Sequence, residues 1–295
     1  MLLRIALVMC SMTISLSLSA SHCHRVPEPE QLKIGNFALP SSQQPSTLYG
    51  FGQYVLDQGD LLGACATQSE FGHANNNFNT VFPYLIYGIR DDMVMIFTLP
   101  IAAQFNQGCE SSSGLLDAII EIEYLTYEYK TERSSWEVSL EGALFLPVGH
   151  KHAKPELSFG SPAFFAGIIT RYIAIDWYWY ASTGGTFTTS HNKTKAGNEF
   201  LYQTGFGKNV GYESEKWLCT LMLEMNGICM QKEKHCGELD PNTGGNMIAL
   251  GPTVWFATQR FIFQAGILPV VYQHWNGDQA KETLFINFNF EWKFT

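Results

Sequence analysis

Residues 281–295 read KETLFINFNFEWKFT. From Leu284 to Phe294 the side chains alternate. Leu284, Ile286, Phe288, Phe290, Trp292 and Phe294 fall on one face, and Phe285, Asn287, Asn289, Glu291 and Lys293 on the other. A period of two marks a β-strand whose two faces meet different surroundings. In water such a strand would be the half-buried edge of a sandwich. In a membrane it would be a wall strand of a barrel, with its apolar face to lipid and its polar face to a wet interior. The rest of the chain separates the two.

Composition favours lipid. Charged residues are 15% of the 295 residues, against about 25% in ordinary soluble domains. Phe, Tyr and Trp together reach 14%. The formal charge is −9 and no basic cluster would seat phosphates, so no nucleic-acid partner is expected. The first twenty residues, MLLRIALVMCSMTISLSLSA, place one cation at Arg4, an apolar stretch from Ile5 to Leu18, then small residues. That order predicts a secretory signal peptide over 1–20. Beyond it no uncharged apolar run reaches the roughly 18 residues of a spanning helix. An exported chain without such a helix is either a secreted β-protein or an outer-membrane barrel.

Residues 21–59 read as a polar, Pro-rich periplasmic lead-in containing PEPE and PSSQQPS, a candidate partial plug for a barrel formed by 60–295. Thr47–Leu56 within it suits either a short strand or a helix. From residue 60 strand-like segments follow one another, at 60–68, 80–88, 93–102, 115–129, 134–144, 161–171, 173–183, 197–207, 214–226, 246–257, 260–272 and 283–294. Their lengths suit tilted membrane strands of about 9–11 residues better than soluble strands of about five or six. Connections such as IRDD, KTER and TQ are short. Between them fall long ones such as FGHANNNF, QFNQGCESSSG, PVGHKHAKPELSFG and GICMQKEKHCGELDPNTGG. A transmembrane barrel sorts its connections this way, with tight turns at the periplasmic end and longer outer loops. The fold predicted is all-β, an antiparallel transmembrane β-barrel of twelve strands; ten or fourteen would follow from a shifted boundary. An even count places both termini in the periplasm, with the barrel in a bacterial outer membrane.

Alternation then assigns the interior. Glu121 and Glu123 oppose Ile120, Ile122 and Tyr124. Glu137 and Glu141 oppose Trp136 and Leu140, and Glu224 opposes Leu221 and Leu223. With Asn287, Asn289, Glu291 and Lys293 these are the candidate lumen-lining residues. Trp177 and Trp179, read as near the outer end of the seventh strand, and Tyr272, near the outer end of the eleventh, join Trp292 as an aromatic girdle or a substrate path. Cys229 and Cys236 form the natural disulfide in the longest loop, with free thiols as the alternative. His150 and His152 read as solvated loop residues, and neither metal nor cofactor is expected. No GxSxG, HExxH or acid–histidine–nucleophile spacing is present, so no catalytic residues are assigned and the chain is not expected to be an enzyme.

Several stretches carry a resemblance. They are FPYLIYGIRDDMVMIFTLPIA (Phe82–Ala102), GLLDAIIEIEY (Gly114–Tyr124), in which Asp117 opens a strand, SLEGALFLPVG (Ser139–Gly149), and FIFQAGILPVVYQ with the final strand. From about Asp60 to Phe294 the chain resembles the outer-membrane barrels of the phenol-degradation meta-pathway transporters, the MetA-pathway family. The resemblance implies a pore-like barrel of about a dozen strands and uptake of small aromatic compounds. The function expected is therefore a channel or facilitator for small, aromatic or hydrophobic solutes, with outer-membrane lipid, lipopolysaccharide and the outer-membrane assembly machinery as partners. The alternative is a non-conducting structural or surface-interaction barrel acting through its outer loops.

Overall fold

The computed structural model describes residues 31–52, 56–191 and 193–294. The signal-peptide expectation and the first part of the lead-in lie outside the described residues. The strands are β1 (Leu61–Gly72), β2 (Asn77–Arg90), β3 (Met93–Thr98), β4 (Ile101–Gln107), β5 (Glu110–Leu115), β6 (Ala118–Lys130), β7 (Ser134–Leu146) and β8 (Ala163–Ala174). They continue as β9 (Trp177–Thr188), β10 (Glu199–Glu213), β11 (Trp217–Met230), β12 (Lys234–His235), β13 (Glu238–Leu239), β14 (Gly245–Thr258), β15 (Phe261–Trp275) and β16 (Glu282–Phe294). All but β12 and β13 belong to one antiparallel sheet, and β12 and β13 make a small hairpin in a loop.

That sheet closes. β1 pairs with β16 through Leu61↔Phe294 to Phe71↔Leu284, and with β2 through Leu61↔Tyr87 to Phe71↔Asn77. β1 is thus paired on both sides, as lipid requires, because an unpaired backbone group there costs several kcal/mol; β5, beyond the break towards the 108–109 turn, pairs with β4 alone among the described strands. The fourteen strands of the sheet form twelve wall strands, since β3 with β4, and β5 with β6, are halves of two. The breaks coincide. Pro100 cannot donate to the ladder, and Leu116 N donates across the gap to Pro100 O at 3.0 Å. Beside it Asp117 accepts from Gly149 N at 3.1 Å and Phe159 N at 2.9 Å, which ties down the base of loop 147–162.

The connections differ from expectation at two places. One end of the barrel carries tight turns at 91–92, 131–133, 175–176, 214–216 and 259–260. The other carries 147–162, 189–198, 231–244 and 276–281, but also the brief turns 73–76 and 108–109. QFNQGCESSSG is thus largely strand and FGHANNNF half strand. Ladder pairing continues through them, and Phe78 packs on Phe105 with ring centroids 4.6 Å apart, so the hairpins extend beyond the predicted strand ends. A second correction concerns Trp177 and Trp179. β9 starts from the turn at 175–176, so these residues lie at the tight-turn end, whereas Tyr272 lies towards the long-loop end.

The outer face is a belt of exposed apolar and aromatic side chains, among them Phe206, Leu221, Leu223, Phe263, Phe288 and Phe290. A charge placed in mid-belt must enter lipid. Phe206→Arg, at the centre of β10, is expected to lower the stability of the barrel folded into vesicles by about 2–4 kcal/mol, read from urea titrations. The same change at Leu239, exposed in the loop hairpin, is expected to have little effect.

Candidate functional site

The interior of the barrel is occupied. Gln31–Gly52 runs inside the wall, entering at the tight-turn end, where Leu32 N donates to Glu132 O at 3.1 Å and Asn36 N to Ile175 O at 2.7 Å. Gly35 is required there: its φ is +57°, and a Cβ would lie 2.0 Å from Ile175 O. Two short 3-10 turns, Gly35–Phe37 and Ser41–Gln43, follow. Thr47–Gly52 is neither strand nor helix. Gly50 and Gly52, the second with φ of +73°, interrupt any regular period there.

Phe37 and Leu39 pack on an apolar patch of the inner wall at this end, made by Ile173, Tyr178, Tyr180, Leu218, Met222 and Trp255. Burying each of these two side chains contributes about 1.5–3 kcal/mol. Further in, the contact becomes polar. Glu224, fully buried on β11, accepts from Thr47 Oγ1 at 2.8 Å, Tyr180 Oη at 2.9 Å and Thr253 Oγ1 at 2.6 Å. It also accepts from the backbone N–H groups of Leu48 and Tyr49, each at 3.2 Å. Gln203 Nε2 donates to Tyr49 O at 2.9 Å and Gln264 Nε2 to Thr47 O at 3.1 Å. A buried carboxylate satisfied by two wall hydroxyls and three donors of one segment fastens that segment with charge-assisted bonds, the strongest neutral-donor type.

The other predicted interior residues fall on the same inner face. Glu123, Glu137 and Glu141 are buried and Glu121 is half-buried. Glu123 faces Glu141 across the β6–β7 ladder. Glu137 accepts from Ser135 Oγ at 2.8 Å and pairs with the buried Arg171 guanidinium. Glu141 comes against the inner segment at Gly52, where φ is +73° and a Cβ would lie 2.9 Å from Glu141 Oε2. The Tyr84 hydroxyl lies 2.9 Å from both Glu291 Oε1 and Asn289 Oδ1 and shares its one proton between them. Asn289 Nδ2 reaches Gln264 Oε1 at 2.7 Å, joining this group to the segment. Asn287 is buried further along β16, and Lys293 pairs with Asp60 at the tight-turn end.

Trp177, Trp179, Tyr272 and Trp292 are all exposed on the outer face, and none enters the interior. Within the run 177–180 the residues that do are Tyr178 and Tyr180, one position along. The expected disulfide is corrected too. Cys229 stays in the β11 ladder with its side chain on the outer face, while Cys236 sits in the turn of the loop hairpin, and both are exposed free thiols.

Sequence reasoning placed Glu224 on the inner face but missed its part in holding the segment, and missed Arg171, Tyr84, Gln203 and Gln264 altogether. Arg171 had a signal: it is the lone charge in the apolar run 161–171, where a buried cation needs an acidic partner. The segment divides the interior. Beyond Thr47–Gly50, towards the long loops, lies a cavity of about 490 Å³. On its other side, lined by Phe37–Ser41, Glu137 and Lys130, lies a second of about 540 Å³.

Residues 66–269, more than half of the chain, match the family described as "Putative MetA-pathway of phenol degradation". The chain belongs to this family. Among solved structures it is similar to the COG4313 outer membrane channel from Pseudomonas putida F1, at 12% identity and a TM-score of 0.65, covering 85% of this chain and 99% of that one. At that identity the similarity is one of fold. The β domain of the Bordetella autotransporter BrkA is similar at 10% identity and a TM-score of 0.43, covering 81% of this chain and 100% of that one. No curated protein sequence matches. The chain is a twelve-stranded barrel of the bacterial outer membrane.

Removing the Glu224 carboxylate leaves the donors of the inner segment without their acceptor. Glu224→Ala is expected to speed hydrogen exchange at the Leu48 and Tyr49 amides at least about tenfold, equivalent to about 1.4 kcal/mol. Exchange within β11 should stay slow, and Glu224→Gln should fall between the two.

Proposed function

We propose that the protein is an outer-membrane channel or facilitator for small solutes, aromatic ones among them, with its tight-turn end and both termini on the periplasmic side. One observation carries this reading: a closed barrel whose acidic inner wall holds two cavities, one on each side of a segment that occupies the middle. Family membership supports small aromatic solutes as cargo. The unequal ends support the orientation, because tight turns face the periplasm in barrels of this class. Lys151 and Lys154 in loop 147–162, with Lys193 and Lys195 in 189–198, give the outer end cations suited to lipopolysaccharide phosphates. Insertion by the outer-membrane assembly machinery belongs to the same reading.

Charge sets the selectivity. Arg171 is paired with Glu137 and Lys293 with Asp60, while Glu121, Glu123, Glu141, Glu224 and Glu291 give the inner face an acidic excess. An acidic path raises the local concentration of cations. Protein refolded in detergent and placed in a planar bilayer under a KCl gradient should give stepwise currents with a reversal potential on the potassium side. Glu141→Gln combined with Glu291→Gln should move that potential towards zero. An unchanged reversal potential would remove these two residues from the path.

The snug fit of the inner segment favours a second reading, a non-conducting barrel that acts through its outer loops. Silence from protein shown to be folded by its heat-modifiable gel mobility would establish it. The loop 231–244, with its exposed β12–β13 hairpin, would then be the surface to alter first.

A further inference from the structure

The cavity on the long-loop side has a one-sided chemistry. Glu70, Glu121 and Glu282 line it, and among the described residues no Lys, Arg or His does. Three carboxylates that share a partly dehydrated space repel one another, and a cation among them offsets that repulsion.

A second feature of the wall is independent of those charges. Asn287 lines the same cavity, is 7% exposed, and its Oδ1 is buried with no hydrogen-bond donor. The direction of this amide is set by its neighbours. As an ionised carboxylate Glu70 only accepts, so Gln68 then donates to it through Nε2 at 2.6 Å, and Gln68 Oε1 takes the Asn287 Nδ2 donor at 3.2 Å. Asn287 Oδ1 is therefore left as an acceptor, and the group it lacks is an N–H or O–H.

The remaining wall is apolar and aromatic. Met247 and Phe285 are buried there in one cluster, with Trp275 packed against it. Thr47–Gly50 of the inner segment also contribute to the lining. Aromatic faces and carboxylates together are the surroundings that hold an organic ammonium, its charge among the acids and its hydrocarbon body on the rings.

We propose that this cavity is a binding site for a protonated amine carrying an aromatic or apolar body, with Glu70, Glu121 and Glu282 as counter-charges and Asn287 Oδ1 as the acceptor of an ammonium N–H. The proposal rests on the channel reading for its purpose, since it names a class of cargo, but the site is defined by equilibrium binding alone.

The test uses full-length mature protein in lipid nanodiscs, titrated calorimetrically, with empty nanodiscs subtracted. Three probes share one body: 2-phenylethylammonium, 2-phenylethanol and 3-phenylpropionate. The ammonium is expected to bind at least about tenfold more tightly than the alcohol, a difference of about 1.4 kcal/mol, and the carboxylate not measurably. Glu121→Gln with Glu282→Gln should remove that preference while leaving the alcohol unchanged, and Asn287→Leu should weaken the ammonium selectively. Equal binding of ammonium and alcohol to the wild-type protein would overturn the site, whatever the variants do. Selective ammonium binding by a barrel silent in bilayers would keep the site and remove the channel. Conductance without ammonium preference would keep the channel and remove the site.

Discussion

Everything in this molecule depends on β1 being hydrogen-bonded on both sides. A sheet with a free edge could not sit in hydrocarbon, because each exposed N–H and C=O would lack a partner. Pairing of Leu61–Phe71 with both β2 and β16 removes the edge, and closure turns alternation along each strand into two surfaces. Residues such as Phe288 and Phe290 meet lipid, while Asn289 and Glu291, one position away, meet the interior. A shift of register by one residue would exchange them, so lipid itself enforces the register.

Closure also creates a space that polar wall residues cannot fill alone. The chain fills it with its own earlier segment. At the tight-turn end Phe37 and Leu39 are buried on an apolar patch of the wall that includes Ile173, Tyr178, Leu218 and Trp255. In the middle the wall is polar, and Glu224 gathers Thr47, Leu48 and Tyr49. The segment is thus matched to a gradient of wall chemistry, and the two cavities are what it leaves open. Any solute path through the barrel runs past it, between acids on β6, β7 and β16.

The wall was legible in the sequence because period two survives in almost every strand, and because Trp136, Glu137, Leu140 and Glu141 can alternate in only one way across a membrane. The exact ends were less legible. FGHANNNF and QFNQGCESSSG carry loop-like composition, yet cross-strand pairs such as Phe78 with Phe105 keep them in the ladder, and pairing partners are not visible from one strand. The aromatic run at 177–180 was placed at the wrong end, although its position one turn after β8 settles it. The inner segment was legible only as a polar lead-in. Its attachment is made of single long-range hydrogen bonds, from Thr47 to Glu224 and from Gln203 to Tyr49, which leave no periodic trace. Cys229 and Cys236 looked paired by proximity in sequence, but one lies on a strand face and the other on a hairpin tip.

The central claim is that Gln31–Gly52 sits in the barrel and restricts the path through it. Single-channel conductance of the full chain, compared with a chain lacking residues 31–52, tests this most directly, provided both show the same heat-modifiable mobility. Small steps are expected from the full chain and steps several-fold larger from the shortened one. Equal conductance from two equally folded barrels would contradict it, and would place the segment outside the path.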